Sequence, residues 1–237
     1  MRKHARKYKI SILSKYQQSP YVLRLLPMTD FIPLFPLKLV VFPGEELNLH
    51  IFEPRYKQLV RECEMNGITF GIPAFLDNKV MDFGTEIELL EIINRNEDGT
   101  IDIKTRGIGI FKIHDFFNTA LNKMYAGADI ERIEINEESD YLLNEKILEK
   151  AEELYSYLAI KKNLPTDIKG FSTYELAHHV GFSIEQEYQL LTIPSEKQRQ
   201  QFMLDHLIKM IPVVKQMEKL RKKAKMNGHF KNVIPPK

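Results

Sequence analysis

The chain has 237 residues, 43% hydrophobic and 28% charged, enough for one large domain or two small ones and not the composition of a disordered polymer. Its one cysteine, Cys63, excludes an internal disulfide framework and suits a reducing cytoplasm, and no apolar run approaches the roughly 18 residues of a membrane span. The net charge of +2 is split: residues 1–27 hold seven Lys/Arg and no acid, residues 209–237 hold nine Lys/Arg against Glu218 alone, and residues 28–208 carry 18 basic and 31 acidic groups, net −13.

Residues 1–27 read as a basic extension. The stretch Ile10 to Leu13 is too short for a signal-peptide core and has no small-residue cleavage site. A transit peptide fits the Arg/Lys-rich, acid-free composition, and Met28, just before the first strand, offers an alternative start. From Phe31 the signals turn to β structure. A strand interrupted by Pro33 and Pro36 belongs at a sheet edge or bulge, because proline lacks the N–H of a central ladder. A turn at Pro43-Gly44 leads to a second strand that ends near Ile51. Pro54 suits a first helical turn with Glu53 at the helix start, and Tyr56, Leu59, Val60 and Cys63 share one buried face. Asn66-Gly67 stops the helix.

Further strands are expected over Thr69–Pro73 and Glu86–Ile93, then after the turn at Asp98-Gly99, where Ile101, Ile103 and Thr105 alternate with Asp102 and Lys104. Ile108 to Phe117 and Met124 to Ile135 continue the sheet. Helical periodicity takes over at about residue 140. A helix over Tyr141–Lys161 carries Leu143, Ile147, Ala151, Leu154 and Leu158 along one side. Capping boxes at Ser172/Glu175, Ser183/Gln186 and Ser195/Gln198 each open a helix, Gly181 closes the first, and the last is long, reaching about Met226 with a kink at Pro212. The class is therefore α+β: a small barrel or sandwich over 28–136, a helical unit over 137–226, and a tail over 227–237.

The run Leu49-His50-Ile51-Phe52-Glu53-Pro54-Arg55-Tyr56, with Cys63 near the end of the following helix, resembles the N-terminal substrate-binding domain of the Lon protease family. It is more similar to free-standing Lon-domain proteins than to the protease itself. Phe70-Gly71, Gly84-Thr85-Glu86, Asp98-Gly99-Thr100 and Arg106-Gly107 add to the resemblance, which spans about residues 31–225. It implies a PUA-like β pseudobarrel followed by a helical bundle with one long helix. It also implies a recognition part without the ATPase or Ser-Lys protease modules, and the sequence holds no Gly-x-x-x-x-Gly-Lys-Ser/Thr phosphate loop. The expected function is thus non-catalytic recognition of unfolded or extended polypeptide, adaptor- or chaperone-like, with no cofactor. Polypeptide clients or a proteolysis component would be its partners. RNA binding, as in other PUA-like folds, and a small-ligand pocket are the alternatives; the acidic body argues against a nucleic-acid groove there.

Catalytic constellations have plainer readings. Cys63 lies on an apolar helix face, where free cysteine is usually a small buried hydrophobe, so pairing with His50 is not expected. His178 and His179 point about 100° apart on a helix and do not share an ion, so no metal is expected. His114-Asp115 reads as a solvated pair. Glu53 and Arg55 flank the strand-to-helix corner, where Arg55 can fork onto a carboxylate or backbone carbonyls and pin the turn. The segment from Phe31 to Phe42 is rich in large apolar residues; its Phe side chains read first as filling the barrel, and the other reading, favoured by the prolines, is an edge on which extended peptide can pair. Phe31, Phe35, Phe42, Glu53, Arg55 and Tyr56 are the candidate binding residues, together with the cleft between barrel and helices.

Overall fold

The computed structural model describes residues 30–229; the extension over 1–27, the alternative start at Met28 and the end of the tail lie outside the described residues. The elements are β1 (Asp30–Leu34), β2 (Glu46–Ile51), α1 (Pro54–Asn66), β3 (Phe70–Leu76), β4 (Lys79–Arg95), β5 (Ile101–Phe117), β6 (Ala126–Ile133), α2 (Tyr141–Leu158), α3 (Ile184–Leu191) and α4 (Glu196–His229). Two short 3-10 turns, Thr173–Glu175 and Ala177–His179, replace the helix expected after Ser172. Among the described residues no helix is long and apolar enough to cross a membrane.

The strand order is β2-β5-β4-β3-β1-β6, and β6 returns to β5, so five strands close a ring that β2 joins from outside. The length of β5 makes this possible. Ile101–Arg106 pair with β2, and Ile110–Phe117 pair with β6. The ring is irregular: bulges interrupt β3–β4, β4–β5 and β5–β6, and β1 runs parallel to β3.

The edge expected at Phe31–Phe42 is not there. β1 sits inside the ring, antiparallel to β6 over its whole length and parallel to β3 from Leu34 onward. The prolines are tolerated through parity. The Phe35 N–H donates to Gly71 O of β3, so backbone N–H groups at odd positions face β3 and those at even positions face β6. Pro33 faces β3 before that pairing begins, and Pro36 faces β6 after that pairing has ended. Neither ring partner loses a bond.

Among the described residues, three apolar clusters hold the molecule. One lies between α1 and the sheet and includes Phe35, Ile51, Tyr56, Leu59, Cys63, Phe70 and Ile103. A small one fills the ring around Ile32, Leu34, Phe111 and Ile130. The largest joins the two halves: Val40, Phe42, Ala74, Leu76 and Ile110 of the β half pack with Ile147, Leu154, Leu190, Leu207 and Ile211 of the helices. A buried polar network supports the helical half, where Asn144 Nδ2 donates to Ile168 O at 2.9 Å and Gln200 Nε2 donates to Asn144 Oδ1 at 2.5 Å. The boxes at Ser172 and Ser183 form as expected. Ser195 directly precedes α4 and makes an isolated bridge to Asn136, and the helix runs on through Pro212.

Candidate functional site

A concavity lies on the seam between the two halves. Its β side is the turn from Phe42 to Glu45. Gly44 adopts φ +84°, its N–H donates to Gly107 O at 2.8 Å, and Gly107 N–H returns a bond to Glu45 O at 2.9 Å. A side chain at Gly107 would strike Phe42 O, so this close approach requires glycine. The helical side is the segment from Lys169 to His179. Two cavities of about 400 and 440 Å³ share Pro43, Gly44, Ser172 and Tyr174 and so form one cleft. A shallower depression beside Glu86 and Arg132 joins it at Ile108 and Ile135. At Ile108 the β5 strand has left β2 and not yet met β6.

The cleft wall is aromatic and the floor ionic. The Phe42 and Tyr174 rings stack at 5.0 Å between centroids. Beneath Tyr174, with its guanidinium carbon 4.4 Å from the ring centre, lies Arg199, which is 1% exposed. Arg199 binds the equally buried Glu196 at 2.7 Å and donates to Ile193 O at 2.8 Å. Glu196 also accepts from the Thr173 N–H at 2.8 Å and its hydroxyl at 3.1 Å. The Tyr174 hydroxyl is buried without a hydrogen-bond partner among the described residues, and burial pushes its pKa up to about 12.

His178 closes one end of the cleft. Its Nδ1 lies 2.9 Å from Glu187 Oε1 on α3, and its Nε2 lies 3.2 Å from Glu45 Oε2 on the β turn. Carboxylates only accept, so both ring nitrogens donate and the imidazole is the cation. Hydrogen bonds to Glu187 and then Glu45 raise its pKa to about 9. Glu45 Oε2 also accepts the Phe42 N–H at 2.9 Å, which ties the turn to the same ion pair.

The candidate residues read from the sequence do not form one site. Phe42 belongs to the seam. Phe35 and Tyr56 stack at 3.8 Å in the core beneath α1. Glu53 and Arg55 do pair, Arg55 Nη2 lying 2.7 Å from Glu53 Oε2, but half of the Arg55 side chain is exposed and its other contact is the adjacent Tyr56 ring. Exposed pairs of this kind contribute at most about 1 kcal/mol. Phe31 is 52% exposed, on the outside of the ring. Cys63 is buried and its thiol is pushed up to about 12 by burial, while His50 pairs with Asp102 at 2.7 Å on the solvent face of the sheet. His114 pairs with Glu131 at 3.1 Å. Tyr174, Glu196 and Arg199 were not singled out in the sequence, although the spacing of Glu196 and Arg199 is that of an i,i+3 ion pair.

The chain matches the family model of the ATP-dependent protease La (LON) substrate-binding domain over residues 32–209. Among solved structures it is similar to a Lon N-terminal domain protein from Xanthomonas campestris, at 24% identity and TM-score 0.58, covering 74% of this chain and 98% of that one. It is also similar to the N-terminal domain of the Mycobacterium avium complex Lon protease, at 14% identity and TM-score 0.57, covering 75% and 98%. No curated protein matches the sequence. At these identities the two structures speak for the fold, while the family model spans most of the chain, and the protein therefore belongs to the family of Lon substrate-binding domains.

Proposed function

We propose that this protein is a non-catalytic recognition module that binds unfolded or extended polypeptide in the cytoplasm, as an adaptor or chaperone-like partner of proteolysis. The observation that carries this reading is the chemistry of the seam cleft. Its walls combine apolar side chains (Pro43, Ile108, Ile135, Phe171) with charges of both signs. The ionic floor is internally paired through Glu196 and Arg199. A nucleic-acid groove needs a surplus of cations, whereas a peptide offers alternating apolar side chains and backbone amides to such a lining. Family membership supports the same reading, since the family is described by substrate binding.

One observation favours a contribution from acidic polymers: Lys219, Arg221, Lys222, Lys223 and Lys225 crowd the exposed end of α4. Salt separates the two readings. The experiment titrates a reduced, unfolded protein and a generic RNA against the full chain at low and moderate salt. Polypeptide binding that persists at moderate salt is expected, with a Kd in the micromolar range or weaker, about −8 kcal/mol or less in magnitude. RNA binding that collapses with salt, without a polypeptide signal, would overturn the proposal.

A further inference from the structure

The outer face of the ring carries an apolar surface that the seam does not use. Residues opposed across strands share a face, so Phe117, Gly127 and Pro33 form one row of the outer surface, and Asp115, Asp129 and Phe31 form the next. Phe31 and Phe117 are 52% and 40% exposed. The Phe31 ring lies over Gly127, in the space a side chain there would fill. The next loop continues the surface: Ala120 lies 3.4 Å from the same position, and Leu121 beside it is 77% exposed.

The adjoining row is electrostatically odd. Asp115 and Asp129 stand directly opposite each other on β5 and β6. Like charges in that relation destabilise a sheet. The neighbouring cations are engaged elsewhere: Arg132 with Asp30 and Glu86, Lys123 with Glu62, and His114 with Glu131. Lys112 lies over the Phe83 ring. Among the described residues neither aspartate has a cation within 4.0 Å. Two exposed aromatic rings beside an acidic pair that has no cation partner among the described residues complement a segment that carries large apolar and basic side chains together.

We propose that this face, built from Phe31, Phe117 and Leu121 with Asp115 and Asp129, is a second contact surface for polypeptide, selective for apolar segments that also carry lysine or arginine. This rests on the polypeptide-binding reading above and adds a place and a charge preference to it. An apolar chain segment covers the rings while its cations relieve the aspartate pair.

The test titrates the full chain with two labelled 15-residue peptides of identical Leu and Phe content, one interspersed with Lys and the other with Glu. At low salt the Lys peptide is expected to bind roughly tenfold more tightly, a preference that shrinks as salt is raised. Asp129→Asn should narrow that preference. Phe31→Ser with Phe117→Ser should weaken the Lys peptide by at least about fivefold, because exposed aromatic anchors carry a large share of small interfaces. All these positions are exposed or half-buried, and an unchanged melting temperature in each variant confirms that the fold survives. Equal binding of both peptides would overturn the charge preference. Lys-peptide binding indifferent to all these variants would overturn the site and leave the polypeptide reading standing. Concentration-dependent self-association lost in the double variant would reassign the face to a second copy of the chain. If neither peptide nor an unfolded protein binds at all, the broader reading fails with it.

Discussion

Arg199 and His178 both bear charge at the seam, in opposite circumstances. Arg199 and Glu196 are buried together, so removing one leaves the other charged in a low-dielectric interior. Arg199→Met is expected to cost about 3–5 kcal/mol, and adding Glu196→Gln should recover part of that loss; denaturant titration of the two variants checks both. His178 is partly exposed and its effect appears in pH. Its folded pKa of about 9 lies above the ordinary histidine value of 6.5. The stabilisation is therefore complete below pH 6.5 and lost as pH rises through about 9. The melting temperature of the native chain should fall across that window, and His178→Gln should flatten the fall. An unchanged slope in His178→Gln would show that the imidazolium does not couple the two halves.

At the scale of elements, the long helix divides in two. Up to Val214 it is held: Met203, Leu207, Ile211 and Val214 lie in the shared core. Beyond that, Met217 and Leu220 are both more than half exposed and nothing among the described residues covers them. Backbone amides after about residue 216 should exchange with solvent much faster than those of Met203–Ile211 in a hydrogen-exchange experiment, and ending the chain at Glu218 should leave the melting temperature within a few degrees. Elements with strong local signals were legible in the sequence: α1 with Pro54 and Gly67, the boxes at Ser172 and Ser183, and the alternation of Ile101, Ile103 and Thr105. What escaped depends on partners distant in sequence. The two-residue turn Asp77-Asn78, with φ +47° and +59°, joins β3 to β4, whose solvent-facing residues hide its length. The two prolines near β1 look like an edge signal until the parity of its neighbours is known. Asn144 looks like a surface residue until Gln200 and the Phe171 carbonyl reach it. The candidate residues fared likewise: Phe42 reached the seam, but Tyr174, which stacks on it, and Arg199, beneath Tyr174, come from two segments whose local patterns signal only caps and helices.

Taken whole, the molecule is a β ring and a helical bundle that share their largest core. Because Val40, Phe42, Ala74, Leu76 and Ile110 pack among the helices, neither half keeps its apolar surface covered without the other. Thermal unfolding is expected to be a single transition, with calorimetric and van't Hoff enthalpies in agreement; two resolved transitions would show that the halves are independent. The closure of the ring bears on how the chain is made. Strand β1 is the first described segment to leave the ribosome, yet its full-length neighbour is β6, with Asp30 opposite Ile130. About a hundred residues separate them, so at roughly 5–20 residues per second the apolar run from Phe31 waits on the order of 5–20 s for its last partner. Until β6 emerges, the run from Phe31 lacks the strand that pairs with β1 along its whole length. Nascent chains halted before Ala126 should leave Phe31–Phe42 open to protease, and chains halted well beyond Ile133 should not.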